Sequence, residues 1–373
     1  MLKDFINYCQ IDCWEFSDVR IRFLRSLRDC SWKRQHLKEL HVNPKSVLRK
    51  REGVHRINLV ECNDIRGLLQ TLITTEGSFP ELEWLDIELQ SEDAFDYDLI
   101  DEETLRLMPD ALPALHKLCL SNCFKKGSEE ISPHQLRQFF TNLHTPLTSL
   151  SLCGPKWMTD AHIEVMMPII GENLVRLEVV DCKLWHESDD DPEAFLSDGS
   201  LVSIAKHCKH LKSFSMVSSH ITCHGLEMVL SANTGITTLD LSASDRLGPR
   251  AVDIISRYLP RLKELRNWWQ SHHSLDWLND DGLIALVDAQ EKESGGSGIF
   301  LDLVGFHKYL VRDGPQLTIR GLKYAIEKGV KEIEVDEGNF QRSIADLGLD
   351  VKLYHAPYVF YMDGSQYKRV LHW

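Results

Sequence analysis

The densest chemistry in the sequence lies between His207 and His224. There His207, Cys208, His210, His220, Cys223 and His224 supply the imidazole and thiol groups that hold zinc in tetrahedral sites. A second set is thiol alone. Cys62, Cys123, Cys182 and Cys208 recur at matching points of the chain, and an exposed thiolate in such a series would make a redox centre. A third set, Trp268, Trp269, His272, His273 and Trp277, is dense enough to line a partner pocket or to pack as core beneath a long loop. The glycine-rich phosphate loop, the dinucleotide fingerprint, the nucleophile elbow and the H-E-x-x-H helix have no counterpart in the sequence. The expectation is therefore no enzyme, no cofactor and no catalytic residue.

The elements that must carry these groups account for most of their spacing. Leu174, Leu177 and Val179 stand at L-x-x-L-x-L spacing and are followed by Cys182 and an amphipathic stretch from Leu201 to Cys208. Leu211, Phe214 and Met216 take the same three places, and Ile236, Leu239 and Leu241 take them again. Apolar residues at period two need a half-buried strand, and a stripe at three and four needs a helix, so each unit reads strand, loop, helix. Cys208 then sits at a buried helix end as a small apolar residue, and Cys223 and His224 stand beside Gly225 at a helix start. On this reading the cysteines are structural and no metal is expected.

The same phrase runs along nearly the whole chain. Further strands are expected at Leu37–Val42, Val54–Leu59, Leu82–Ile87, Leu115–Leu120 and Leu147–Leu152, then at Leu262–Leu265, Leu301–Leu303, Ile333–Val335 and Val351–Leu353. A unit this small cannot bury its own apolar face, so neighbours must stack. The expected organisation is an N-terminal cap over 1–36, a repeat domain over 37–353 and a C-terminal cap or tail over 354–373. Four stretches break the period and are expected as projecting insertions: Gln90–Asp110, Asn122–His134, Glu187–Asp198 and Glu291–Gly298.

Composition narrows the partners. With 42 Lys and Arg against 56 Asp and Glu the chain carries a formal charge of −14, which argues against nucleic acid or an anionic membrane and favours a basic protein. Ten cysteines in 373 residues are too few for a disulfide framework. Met1–Gln10 lacks the apolar core of a secretory signal, and no apolar run reaches the roughly 20 residues of a membrane span, so cytoplasm or nucleus is expected.

Several pieces together resemble the cysteine-containing leucine-rich repeat: Ile57-Leu59-Cys62, Leu118-Leu120-Cys123, Leu177-Val179-Cys182, Met158-Thr159-Asp160 with Ile163, and Ile221-Thr222 with Gly225-Leu226. The resemblance implies an α/β leucine-rich-repeat solenoid, a horseshoe with a parallel concave sheet and helices on the convex side. It is similar to the repeat domain of F-box proteins, which implies a substrate-recognition scaffold joined to a cullin-type ubiquitin ligase through an adaptor at the N-terminus. Leu24-Arg25-Ser26-Leu27, Cys30 and Trp32-Lys33-Arg34 resemble the end of an F-box, although the Leu-Pro opening of that motif is missing. The alternatives are a stand-alone scaffold and a leucine-rich GTPase-activating protein.

Alternation names the residues opposite the leucines. A protein partner, basic in character, is expected on Trp84, Asp86, Glu88, Arg176, Glu178, Asp240, Arg266, Trp268, Trp269, Asp302, Glu332 and Glu334. Trp and Arg of this set are the types that dominate interface energetics.

Overall fold

Strands form where the period-two phrase runs, and each takes its neighbour in chain order. The structure is a computed structural model that describes residues 8–12, 39–43, 82–88, 100–121, 131–153, 157–180, 196–218, 220–242, 244, 246–266, 278–294, 300–303, 319–330 and 332–335. Two compact units are present, Met1–Trp157 with Phe360–Trp373, and Met158–Val359.

The first unit contains β1 (Tyr8–Asp12), β2 (Glu39–Asn43), β3 (Trp84–Glu88), α1 (Glu102–Ala111), β4 (Lys117–Ser121), α2 (Pro133–Asn142) and β5 (Ser149–Cys153). All its strand pairs are parallel, with Leu85 opposite Leu118 and Leu118 opposite Leu150. The second unit contains α3 (Asp160–Ile170), a 3-10 turn at Gly171–Asn173, β6 (Arg176–Val180), α4 (Asp198–His207), β7 (Ser213–Val217), α5 (Cys223–Ala232) and β8 (Thr238–Asp240). It continues through α6 (Arg250–Tyr258), β9 (Glu264–Arg266), α7 (Asp280–Ser294), β10 (Phe300–Leu303), α8 (Ile319–Glu327) and β11 (Glu332–Val335). Its strands too pair in parallel, and Leu177, Phe214, Leu239, Leu265, Leu301 and Ile333 form one row. Parallel neighbours joined, from β3 onward, by a helix each time make an α/β solenoid of leucine-rich repeats.

The core lies between sheet and helices. Leu118, Leu120, Leu150, Leu152, Leu177, Val179, Phe214 and Met216 are buried from the strands. Stripes at three and four meet them from the helices: Leu201, Ile204 and Ala205 from α4, Leu226, Val229 and Leu230 from α5, Ile254 and Ile255 from α6. Each such side chain contributes about 1.5–3 kcal/mol, which is how short repeats without a core of their own hold together.

The strand pattern departs from expectation in two places. β1 lies inside the segment expected as a cap, paired residue for residue with β2. Tyr8–Asp12 lacks the leucine phrase, so the period missed it. β2 pairs directly with β3, and the expected strand Val54–Leu59 lies outside the described residues. Val351–Leu353 also lies outside them.

Each of the four expected insertions overruns into a helix. Gln90–Asp110 includes most of α1, with Leu105 and Met108 buried, Glu102 and Glu103 in its first turn, and Asp101 accepting from the Thr104 amide at 2.8 Å. Carboxylates at a helix N-terminus are favoured by the backbone dipole, and there they look in sequence like an acidic loop. Asn122–His134 runs into α2, whose capping box joins Ser132 and Gln135. Glu187–Asp198 ends on the first residue of α4, and α7 extends to Ser294.

Three repeats also hold the next by the helix start. Asp160, first in α3, accepts hydrogen bonds from the Ser197 amide at 2.8 Å, the Ser200 amide at 3.1 Å and both serine hydroxyls, at the start of α4. Asp198, first in α4, accepts from the Thr222 amide at 2.8 Å and hydroxyl at 2.6 Å, at the start of α5. Asp280 of α7 accepts from the Gly321 amide in α8. Cys223 takes this place on α5, its thiol meeting the Gly248 carbonyl at 3.8 Å, and α6 starts at Pro249 without a side-chain cap.

Candidate functional site

The face opposite the leucines is laid out by register. In the second unit one row reads Arg176, Ser213, Thr238, Glu264, Phe300 and Glu332, and the next reads Glu178, Ser215, Asp240, Arg266, Asp302 and Glu334. Neighbouring strands are about 4.8 Å apart, so the six positions of the second row, four of them Asp or Glu and one Arg, span about 24 Å of sheet. In the first unit the rows are Trp84, Lys117 and Ser149, then Asp86, Cys119 and Ser151, then Glu88, Ser121 and Cys153.

Contacts within the rows show which side chains are committed. Arg176 reaches Glu178 at 3.2 Å, and Arg266 reaches Glu264 at 2.6 Å, each pair two residues apart on one strand face. Lys117 lies over the Trp84 ring at 4.9 Å, a cation–π contact worth about 0.5–1 kcal/mol at an open site. Asp240 accepts from the Ser215 hydroxyl at 3.1 Å and from the amide and hydroxyl of Ser242 at 3.0 and 2.6 Å.

Two of the expected contact residues are buried. Glu178 is 8% exposed and Asp240 3%, with Ser215 between them at 7%. They stand on the side that alternation assigns, but they are not open carboxylates. The bonds around Asp240 explain how its charge is tolerated, since a buried carboxylate must be fully hydrogen-bonded to avoid a heavy desolvation penalty. Ser151 and Cys153 are likewise buried opposite Leu150 and Leu152, their Oγ and Sγ 3.6 Å apart. Trp84, Arg176, Glu264 and Arg266 remain partly exposed. Asp86, Glu88, Asp302, Glu332 and Glu334 hold the strand positions expected of them. Trp268, Trp269, His272, His273 and Trp277 lie outside the described residues.

The six candidate zinc ligands are dispersed by the repeat. His207, Cys208 and His210 stand where α4 leads into β7, whereas His220, Cys223 and His224 stand where β7 leads into α5, so a whole strand separates the two groups. Among the described residues no group of three or more His, Cys, Asp or Glu is placed to hold a metal ion. Cys208 is buried, its thiol donating to the Met167 sulfur at 3.6 Å, and burial pushes it up to about 12. It is a packing residue rather than a nucleophile. Cys62, Cys123 and Cys182 lie outside the described residues.

Comparison with known proteins adds distant likenesses only. No family model matches the sequence, and no curated protein matches it. Among solved structures, a Rad7 and Elc1 complex in yeast is 12% identical, covering 83% of this chain and 88% of that one at a TM-score of 0.31. The leucine-rich repeat-containing protein LegL7 from Legionella pneumophila is 14% identical over 86% and 97%, at 0.36. A TLR13–ssRNA13 complex is 17% identical over 67% of this chain and 32% of that one, at 0.33. At such scores the alignments carry no functional argument. The fold rests on the chain's own register. No helix among the described residues is long and apolar enough to cross a membrane.

Sequence reasoning missed the buried serines, and with them the state of the acids. Ser215, Ser242 and Ser151 alternate with leucine-type residues as any solvent-facing residue would. A signal was present in their size, because serine recurring opposite the core is suited to a closely covered position.

Proposed function

We propose that the chain is a non-catalytic leucine-rich-repeat scaffold that binds a basic segment of a protein partner along the sheet face of its second unit that lies opposite the leucines. The observation that carries this is the second row, where Glu178, Asp240, Asp302 and Glu334 outnumber the single Arg266. Arg176, Glu264 and Arg266, partly exposed, supply the contacts that a partner reaches first. Trp84 and Lys117 form an aromatic and cationic contact on the first unit's face. The buried pair Glu178 and Asp240 acts as fixed background charge, which steers and selects a partner more than it adds affinity.

The finer form of the proposal is substrate recognition for a cullin-type ubiquitin ligase, supported by the repeat's resemblance to those of F-box proteins and by the pieces between Leu24 and Arg34. Affinity purification of the tagged chain, with and without residues 1–36, tests both levels. Ligase adaptor and cullin subunits that disappear on deletion support the finer form. Their absence, with other proteins still held, leaves a stand-alone scaffold. Replacing Trp84 and Arg176 with alanine should weaken capture of those proteins without unfolding the chain, and unchanged capture would reject the sheet face.

A further inference from the structure

Because the strands of the second unit are parallel, every helix-to-strand connection reaches the sheet at the same edge. Backbone hydrogen bonds fix the order there. The Lys212 amide donates to the Val175 carbonyl at 2.7 Å, Thr237 to Lys212 at 2.8 Å and Lys263 to Thr237 at 2.8 Å. Val175, Lys212, Thr237 and Lys263 therefore form a row at strand spacing, with the two lysines about 10 Å apart. Lys209 and Arg261 stand beside this row in the same connections, and Lys206 lies in the last turn of α4; all three are exposed, as are Lys212 and Lys263. The exposed acid in these connections is Glu172.

These five cations differ from several on the helix faces. Arg250 and Arg257 are paired with Glu227, Arg320 with Asp281 and Lys328 with Glu291. Among the described residues none of the five edge cations is in an ion pair. Two further observations mark the edge. A Cβ at Gly235 would stand 2.7 Å from the Lys212 ammonium, so the small residue lets that charge lie over the connection. Val175, at 42%, is one of two large apolar side chains that stand exposed among the described residues. Desolvation, aided by the charges of Lys206 and Lys209, holds His207 below its ordinary value, in keeping with a positive local field.

We propose that this edge is a second docking surface, separate from the sheet face, for an acidic segment of a protein partner. An extended segment rises about 3.3 Å per residue, so carboxylates three residues apart match Lys212 and Lys263, and an apolar residue just before the first acid meets Val175. The formal charge of −14 opposes a long polyanion. A short acidic peptide senses mainly the charges within a Debye length of about 8 Å, where the edge is positive.

The test uses the full chain and a fluorescein-labelled dodecapeptide of leucine followed by mixed glutamate and aspartate, read by anisotropy. Lys212→Glu with Lys263→Glu is compared with Arg137→Glu plus Arg246→Glu, an equal charge change at exposed residues elsewhere, and both are checked for unchanged melting. The expected result is binding that weakens about tenfold in the edge variant, stays within about twofold in the control and falls as salt rises. Absence of binding, or equal loss in both variants, would overturn the proposal. So would tighter binding of a single-stranded oligonucleotide of equal charge, or self-association that the edge variant abolishes.

Discussion

The carboxylate of Asp160 fills the space that a side chain on Gly199 would need, 2.6 Å from where its Cβ would stand. One repeat's first helical residue thereby dictates glycine in the next, and the same relation joins Asp198 to Gly225. The motif of an acid followed, one repeat later, by a glycine is a contact between repeats and not a local turn signal.

Asp160→Ala should cost about 2 kcal/mol, because the Ser197 and Ser200 amides lose their acceptor at the start of α4. Gly199→Ala should also destabilise, by crowding the same carboxylate. In a urea-unfolding double-mutant cycle the two losses should sum to more than the double variant shows, since removing Asp160 vacates the space. Strict additivity would mean that the contact does not exist.

Asn233 is buried at the end of α5, where its amide donates to the Cys208 carbonyl at 2.9 Å and the Val229 carbonyl at 3.2 Å and accepts from the Leu211 amide at 3.3 Å. Asn233→Leu strips partners from three buried backbone groups and should cost about 2–4 kcal/mol in chemical denaturation. A variant as stable as the parent would show that those groups find other partners.

Cys208 should resist iodoacetamide in the native protein and react only on unfolding. Its folded value is raised from 9.0 to about 12, so the native state keeps the proton that the unfolded chain gives up. The sign follows: this contribution to stability is complete below about pH 9 and is lost as pH rises through 9 to 12. Cys208→Ala should remove that alkaline dependence, as followed by melting temperature against pH.

Asp240→Ala should lower stability by about 2 kcal/mol, because Ser215 and Ser242 lose a buried acceptor. Arg176→Ala, by contrast, removes a partly exposed cation from a pair with Glu178 and should change stability by less than Asp240→Ala does, while weakening partner capture. If Asp240→Ala spares stability and abolishes capture, that residue belongs to the interface itself.

The strands were the most legible part of the fold. Leu177 with Val179 and Phe214 with Met216 announce their pleat, and ten of the twelve expected phrases fall on β2 to β11. What period could not supply was anything set by a neighbour. β1 is recruited by pairing with β2, and α1 hid behind Glu102 and Glu103, whose charges suit a helix start as well as a loop. Alternation told which face Glu178 and Asp240 point from, but their burial depends on tertiary cover that no single strand encodes. The zinc-like cluster misled for the complementary reason: the eighteen residues from His207 to His224 cross one full strand.

The chain of aspartates is interrupted at Cys223, and α6 begins uncapped. What bridges α5 and α6 from the outside is Glu227 with Arg250 and Arg257, exposed pairs of small worth. The second unit is thus assembled with a seam. Pulled from its far end or warmed to the edge of melting, it should part there first, peeling away α6 onward while β6 to α5 stays zipped. Amide exchange would then report two breathing populations within a single stack of repeats.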